Sequence, residues 1–132
     1  MIYRKLEPNE YERIIEMVID FCDETNADDT AITAIITRMG EGRTTVFAAE
    51  NGQLCGILGY CTAGEVAIPD FFYVLPEKRK GTVGGRLYNM AIRYAKKHGI
   101  KKAVPMVTID KEPIYTKLGF KRSKFILLEK EL

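Results

Sequence analysis

"YVLPEKRKGTVGGRLYNMAI", residues Tyr73 to Ile92, decides how this chain is organised. Val74 closes an apolar run, and Leu75-Pro76 stops it, because proline has no amide to give a strand ladder. Gly81, Gly84 and Gly85 follow among the cations Arg79, Lys80 and Arg86. Behind them Val83, Leu87, Met90, Ala91, Tyr94 and Ala95 recur on one helical face, and Gly99 ends the helix. The stretch reads as strand, glycine-rich turn, helix. The first amides of a helix have no partner inside it and lie at the positive end of its dipole. Bare backbone and positive charge at that place suit a pyrophosphate. The spacing matches neither G-x-x-x-x-G-K-[ST] nor G-x-G-x-x-G. On the residues alone, a flexible loop with a solvated basic face stays open beside the phosphate cradle.

Working outward, "IYRKL" (Ile2–Leu6) reads as a strand, and Pro8 suits the first turn of a helix. Tyr11, Ile14, Ile15, Val18, Ile19 and Cys22 give that helix one apolar face. The acidic loop "DETNADD" (Asp23–Asp29) follows, then a second helix with Ile32, Ile35, Ile36 and Met39 as its stripe. "TTVFAAE" and "QLCGILGYC" form a hairpin about Asn51-Gly52. "EVAIPDFFYV" (Glu65–Val74) is the next strand, in which Pro69 marks a bulge or an unpaired position. After the third helix, "KKAVPMV" is expected to be a strand, "EPIYTKL" a short helix stopped by Gly119, and "KFILLEKEL" (Lys124–Leu132) a last strand. That last strand is expected either at an internal edge or paired across a two-fold axis in a homodimer. The order β-α-α-β-β-β-α-β-α-β describes a single α/β domain over residues 1–132 with a mixed, largely antiparallel sheet.

The 132 residues are 46% hydrophobic and 29% charged, an ordinary balance for one folded domain. No apolar run reaches the roughly 20 residues of a membrane span. The opening residues turn charged at once, without a signal-peptide core. Cys22, Cys55 and Cys61 are an odd number with no C-x-x-C pair, which points to buried thiols in a reducing cytoplasm. No cluster has metal-ligand spacing. The net charge of +2 hides an asymmetry, since residues 1–70 sum to −8 and residues 71–132 to +10. Such a split suits one cationic and one anionic ligand.

The chain resembles the GCN5-related N-acetyltransferase family. The family's acetyl-CoA motif is a strand ending V-x-P followed by [Q/R]-x-x-G-x-[G/A] at the start of a helix. Val74, Pro76, Arg79 and Gly84 match it, while Thr82 stands where the motif has its other glycine, with Gly81 beside it. The family's aromatic pair before K-L-G-F is matched by "PIYTKLGF" (Pro113–Phe120). The resemblance implies a single domain with a central sheet flanked by helices. It also implies acetyl-CoA as co-substrate, with Arg79, Lys80, Gly81, Thr82, Val83, Gly84, Gly85 and Arg86 about the pyrophosphate and Phe72, Tyr73 and Val74 along the pantetheine arm. It further implies transfer to an amine by direct attack in a ternary complex. Tyr115 falls where the family has the tyrosine that protonates the departing thiolate, a sensible donor with a phenol pKa near 10. Asp70 falls near the family's glutamate base, and period-two alternation would set it on one face with Phe72 and Val74. Glu65 is a weaker candidate, and His98 at a helix end is expected to do no chemistry.

The resemblance sets the acceptor between the first two helices, where Asp23, Glu24 and Asp28 lie in the acidic loop with Asp20 one turn earlier. These carboxylates favour a polyamine-like amine or a protein amine. Two rival functions stand beside transfer: a CoA-binding module without catalysis, for which Thr82 is the signal, and a nucleic-acid binder using the basic half. The basic half lacks aromatic–basic interleaving, so no nucleic-acid partner is expected.

Overall fold

The computed structural model describes all residues from Met1 to Leu132. Five strands lie in the order β1-β2-β3-β4-β5. They are β1 (Ile2–Lys5), β2 (Thr44–Glu50), β3 (Leu54–Ala63), β4 (Val66–Val74) and β5 (Lys102–Ala103). The first four pair antiparallel, and β4 pairs with β5 in parallel. The helices are α1 (Ile15–Glu24), α2 (Asp29–Gly40), α3 (Val83–Lys97) and α4 (Glu112–Lys117). Gly52 and Gly64 turn the two hairpins with positive φ of 71° and 60°, a region an L side chain enters at a cost.

The sheet has an apolar layer on each face. On one, Ile14, Val18 and Cys22 of the first helical segment and Ile35 and Met39 of α2 cover Val46, Ala48, Ile57, Phe71 and Tyr73. On the other, Val83, Leu87, Ala91 and Ala95 of α3 cover Phe47, Leu58, Tyr60, Ala67 and Val74. Alternation along the strands divides these two sets, as period two requires. The first helix differs in detail from its expected pattern. Pro8–Ile14 is a 3-10 segment, and only from Ile15 does the helix become α, so Met17 is buried and Ile19 is 37% exposed.

Alternation breaks where the end of β2 meets Cys55 of β3, and again within β4 at Pro69. Tyr60 opposes Pro69 and Gly59 opposes Phe71, which leaves Asp70 as the extra residue of a bulge. Asp70 and Phe71 consequently both face α1 and α2, whereas Phe72 and Val74 face α3. The expectation that Asp70 shares a face with Phe72 and Val74 is therefore corrected. Arg38 of α2 donates from Nη2 to Asp70 Oδ1 at 2.7 Å, and the Thr44 hydroxyl donates to Oδ2 at 3.3 Å. The Asp70 side chain is only 4% exposed, so this pair is the reason a carboxylate can lie there at all. Across the bulge the Phe71 ring fills the place of a side chain at Gly59, where a Cβ would lie 2.3 Å from Cζ.

Two expected strands are shorter or missing. The strand expected over residues 101–107 is confined to Lys102–Ala103, with one further bond from the Val104 amide to the Ala67 carbonyl. Residues 124–132 form no strand, and Phe125, Ile126, Leu127 and Leu128 are more than three-quarters exposed. With β5 only two residues long, no ladder is available for them to extend.

Two substitutions check this account. Gly59→Ala drives a methyl into the Phe71 ring and should cost about 1–3 kcal/mol, read by urea denaturation. Asp70→Asn leaves Arg38 without its carboxylate and should cost about 2–4 kcal/mol. Wild-type stability for either variant would mean that the bulge is not held as described.

Candidate active site

Everything that follows β4 is arranged by the turn that Leu75-Pro76 begins. Pro76–Lys78 make a single 3-10 turn, in which Lys78 donates to the Leu75 carbonyl and Arg79 to the Pro76 carbonyl. Gly81 donates to the Lys78 carbonyl, and α3 starts at Val83. Thr82 precedes the helix, but its hydroxyl caps no amide. The amides of Thr82, Val83, Gly84 and Gly85 donate to no group of the protein. They form a short row of open donors at the positive end of a 15-residue helix.

The glycines here differ in kind from those of the sheet. A Cβ at Gly56 would lie 3.0 Å from Leu87 Cδ1, so packing demands that glycine. At Gly85 a Cβ would meet nothing within 4 Å, at Gly81 only the Lys78 carbonyl at 3.7 Å, and at Gly84 only Phe72 and Val74 at ordinary contact distance. None of the three has the positive φ that would exclude other residues. Folding does not require glycine at these positions. Bare backbone at such a place leaves room for a ligand to come close to it.

The cations divide likewise. Lys80 and Arg86 are exposed and pair with no carboxylate, Arg86 lying 5.8 Å from the Tyr3 ring. Arg79 is engaged. Its Nε donates to the Val74 carbonyl at 2.8 Å and its Nη2 to Glu24 Oε2 at 2.7 Å.

Phe72 links the loop to the other expected chemistry. It touches the Gly84 position on one side and lines an apolar groove on the other, together with Tyr88, Ile92, Tyr115 and Phe120. Tyr115, on α4, packs edge-on against Phe120 with ring centres 5.5 Å apart. Burial pushes its phenol above the ordinary value of 10.0, so it stays protonated and can donate. The structure thus gathers Phe72, Tyr73, Val74 and residues 79–86 at one end of β4, with Tyr115 in the groove beside Phe72.

The acidic residues are less uniform than their spacing implies. Asp23 and Glu24 belong to α1 rather than to a loop. Asp28 caps α2 by accepting from the Ala31 amide at 2.9 Å. Glu24 is taken by Arg79, while Asp20 and Asp23 are exposed and have no cationic partner. Asp70 accepts from both Arg38 and Thr44. Arg38 had no signal in the sequence, because its partner lies 32 residues away on the far side of a bulge.

Comparison with known proteins gives the site its family. A family model described as an acetyltransferase (GNAT) domain matches residues 41–122. The fold is similar to that of a "predicted acetyltransferase" from Clostridium acetobutylicum solved with acetyl-CoA, with a TM-score of 0.79, 15% identity, and coverage of 98% of this chain and 95% of the other. It is similar too to a GCN5-related N-acetyltransferase from Ralstonia eutropha, with a TM-score of 0.78, 18% identity, and coverage of 98% and 97%. A third likeness is to the aminoglycoside N-acetyltransferase AAC(6')-Iy in complex with CoA, with a TM-score of 0.76, 15% identity, and coverage of 98% and 93%. A search of curated protein sequences gave no match. Strand β4, the glycine-rich turn and α4 all lie inside the matched residues, and the chain belongs to the GNAT acetyltransferase family.

Proposed function

We propose that this chain moves an acetyl group from acetyl-CoA to an amine, with both substrates bound together. One observation supports this reading above the others: the glycines at the mouth of α3 are not needed by the fold, and the amides beside them are unpaired. That is a fit for the pyrophosphate of CoA. Thr82 to Gly85 would donate from the backbone, and Lys80 and Arg86 would add charge. Thr82 stands at the head of this row with its side chain exposed and its hydroxyl capping no amide. Acetyl-CoA supplies the acetyl group as an activated thioester. The GNAT neighbours described with acetyl-CoA and with CoA support the same co-substrate.

Phe72 to Val74 would lie along the pantetheine arm, where an extended ligand can pair with the end of a strand. Tyr115 would give its proton to the departing sulfur, and its half-buried phenol, with a pKa raised above its ordinary value by desolvation, suits that task. Asp70 is assigned a different part from the one its place in the sequence implies. Both its oxygens accept from fixed donors, so it holds the bulge rather than drawing a proton. Proton loss from the amine is left to water at the open, acidic end of α1. Asp20 and Asp23 are exposed there without cationic partners and would draw a cationic acceptor. Glu24 would border the same cleft, and Asp28 would contribute by fixing the start of α2. AAC(6')-Iy has also been solved with the bisubstrate analogue CoA-S-monomethyl-acetylneamine, which supports an amine as the class of acceptor. A reducing cytoplasm suits its three free thiols.

Three outcomes test the proposal. Acetyl-CoA at one hundred times its dissociation constant should stabilise the protein by about 2.7 kcal/mol. Gly85→Ala, at an uncrowded helical position, should raise intrinsic stability by up to about 1 kcal/mol yet shrink the acetyl-CoA shift. No shift with wild-type protein would remove the reading. Tyr115→Phe should lower kcat and leave the Michaelis constant for acetyl-CoA almost unchanged. A general acid works while protonated and fails as pH rises through its pKa. Burial raises that of Tyr115, so the alkaline loss of kcat should lie above pH 10 in wild type and vanish in the variant. In a screen of polyamines, peptides and acidic metabolites read by thiol release, amines should be turned over best. Preference for acidic metabolites would contradict the assignment of the acceptor side.

A further inference from the structure

We infer that Arg79 is a positioning residue, one that fixes the end of β4 against the end of α1, and not a ligand of the phosphates. The inference rests on the acetyl-transfer reading above and concerns how that site is held together.

The sequence pattern sets Arg79 first in a phosphate-binding stretch, yet its guanidinium is spent elsewhere. One edge meets β4 through the 2.8 Å bond from Nε to the Val74 carbonyl. Another meets α1 through the 2.7 Å bond from Nη2 to Glu24 Oε2. Its face covers the Tyr73 ring, with Cζ 5.1 Å from the ring centre. Two hydrogen bonds and a stacked ring fix a planar fork in one place. The burial of Tyr73, and then the charge of Asp20, raise its phenol, while Arg79 opposes that rise. Lysine would not substitute, since an ammonium on a flexible stem cannot span a carbonyl and a carboxylate while stacking on a ring.

The pair is not there for stability. Glu24 and Arg79 side chains are each 38% exposed, and an ion pair so open to water adds little to folding. Its value lies in what it joins. Val74 ends the strand proposed to run along the acyl-bearing arm, and Glu24 ends the helix that borders the proposed acceptor cleft. A second bridge of the same kind, Arg38 to Asp70, holds the same strand to α2 four residues earlier. Between the two bridges Phe71 to Tyr73 cannot shift relative to the helices. The acyl carbon and the attacking nitrogen then meet at a distance set by protein rather than by chance, and small misplacements there are costly in rate.

The test uses Arg79→Met, Arg79→Lys, Glu24→Gln and the double variant Glu24→Gln with Arg79→Met, with Arg86→Met for contrast. A positioning role predicts that Arg79→Met lowers kcat by about tenfold while the dissociation constant of acetyl-CoA moves by less than about threefold. Arg86→Met should do the reverse. Arg79→Lys should not restore kcat, and the double variant should be no slower than Arg79→Met alone. A tenfold weaker hold on acetyl-CoA with unchanged kcat in Arg79→Met would make Arg79 a phosphate ligand and overturn the inference. Additive losses of kcat in the double variant would overturn it too. A nuclear magnetic resonance measurement separates this inference from the function it rests on. In the ligand-free protein, Glu24→Gln should shift the Arg79 Nη–H resonances whether or not acetyl-CoA binds, and unmoved resonances would refute the contact. Absence of acetyl-CoA binding by wild type would instead sink the proposed function.

Discussion

Proline cannot donate to a strand ladder, and from that one constraint at Pro69 much of the site follows. The ladder between β3 and β4 skips a residue there, and Asp70 turns toward the helices instead of toward α3. A carboxylate facing an apolar layer needs a partner, and Arg38 with Thr44 supplies it. Beyond the bulge the alternation resumes with its faces fixed. Phe71 and Tyr73 anchor the strand to one core layer, while Phe72 and Val74 meet α3 and the mouth of the glycine turn. The end of β4 thus meets both the mouth of α3 and the layer built by α1 and α2.

The glycines show how a fold and a site make different demands on one residue type. Gly59 and Gly56 are needed because Phe71 and Leu87 occupy the space a side chain would take. Gly52 and Gly64 are needed for a backbone conformation. Gly81, Gly84 and Gly85 satisfy neither condition, and they lie beside amides that the helix leaves open. Gly40 satisfies neither condition as well, so what sets these three apart is the company of open amides, which a ligand-sized anion would use. The engaged Arg79 and the free Lys80 and Arg86 draw the same line among the cations.

Local chemistry is what a sequence states most directly, and the parts governed by it were legible. The hairpin at Asn51-Gly52, the stripe of α3 and the bulge at Pro69 each depend on a few neighbouring residues. Parts that depend on distant partners were not. The face of Asp70 was misread because a bulge adds a residue to the count, and its partner Arg38 lies on another element. The bond from Arg79 to Glu24, 55 residues earlier, had no local signal either. The strand expected in residues 124–132 was read from apolar character, which describes what a segment could pair with but not whether an edge is there to receive it.

The central claim is that the open amides at the start of α3 hold the phosphates of acetyl-CoA. Amide resonances followed during a titration of the full chain with acetyl-CoA address it at the atoms concerned. The largest shifts should fall on Thr82 to Arg86, saturating together with those of Phe72 to Leu75, and the exposed residues 124–132 should stay still. Saturable binding that leaves Thr82 to Arg86 unmoved, with its shifts elsewhere, would contradict the account.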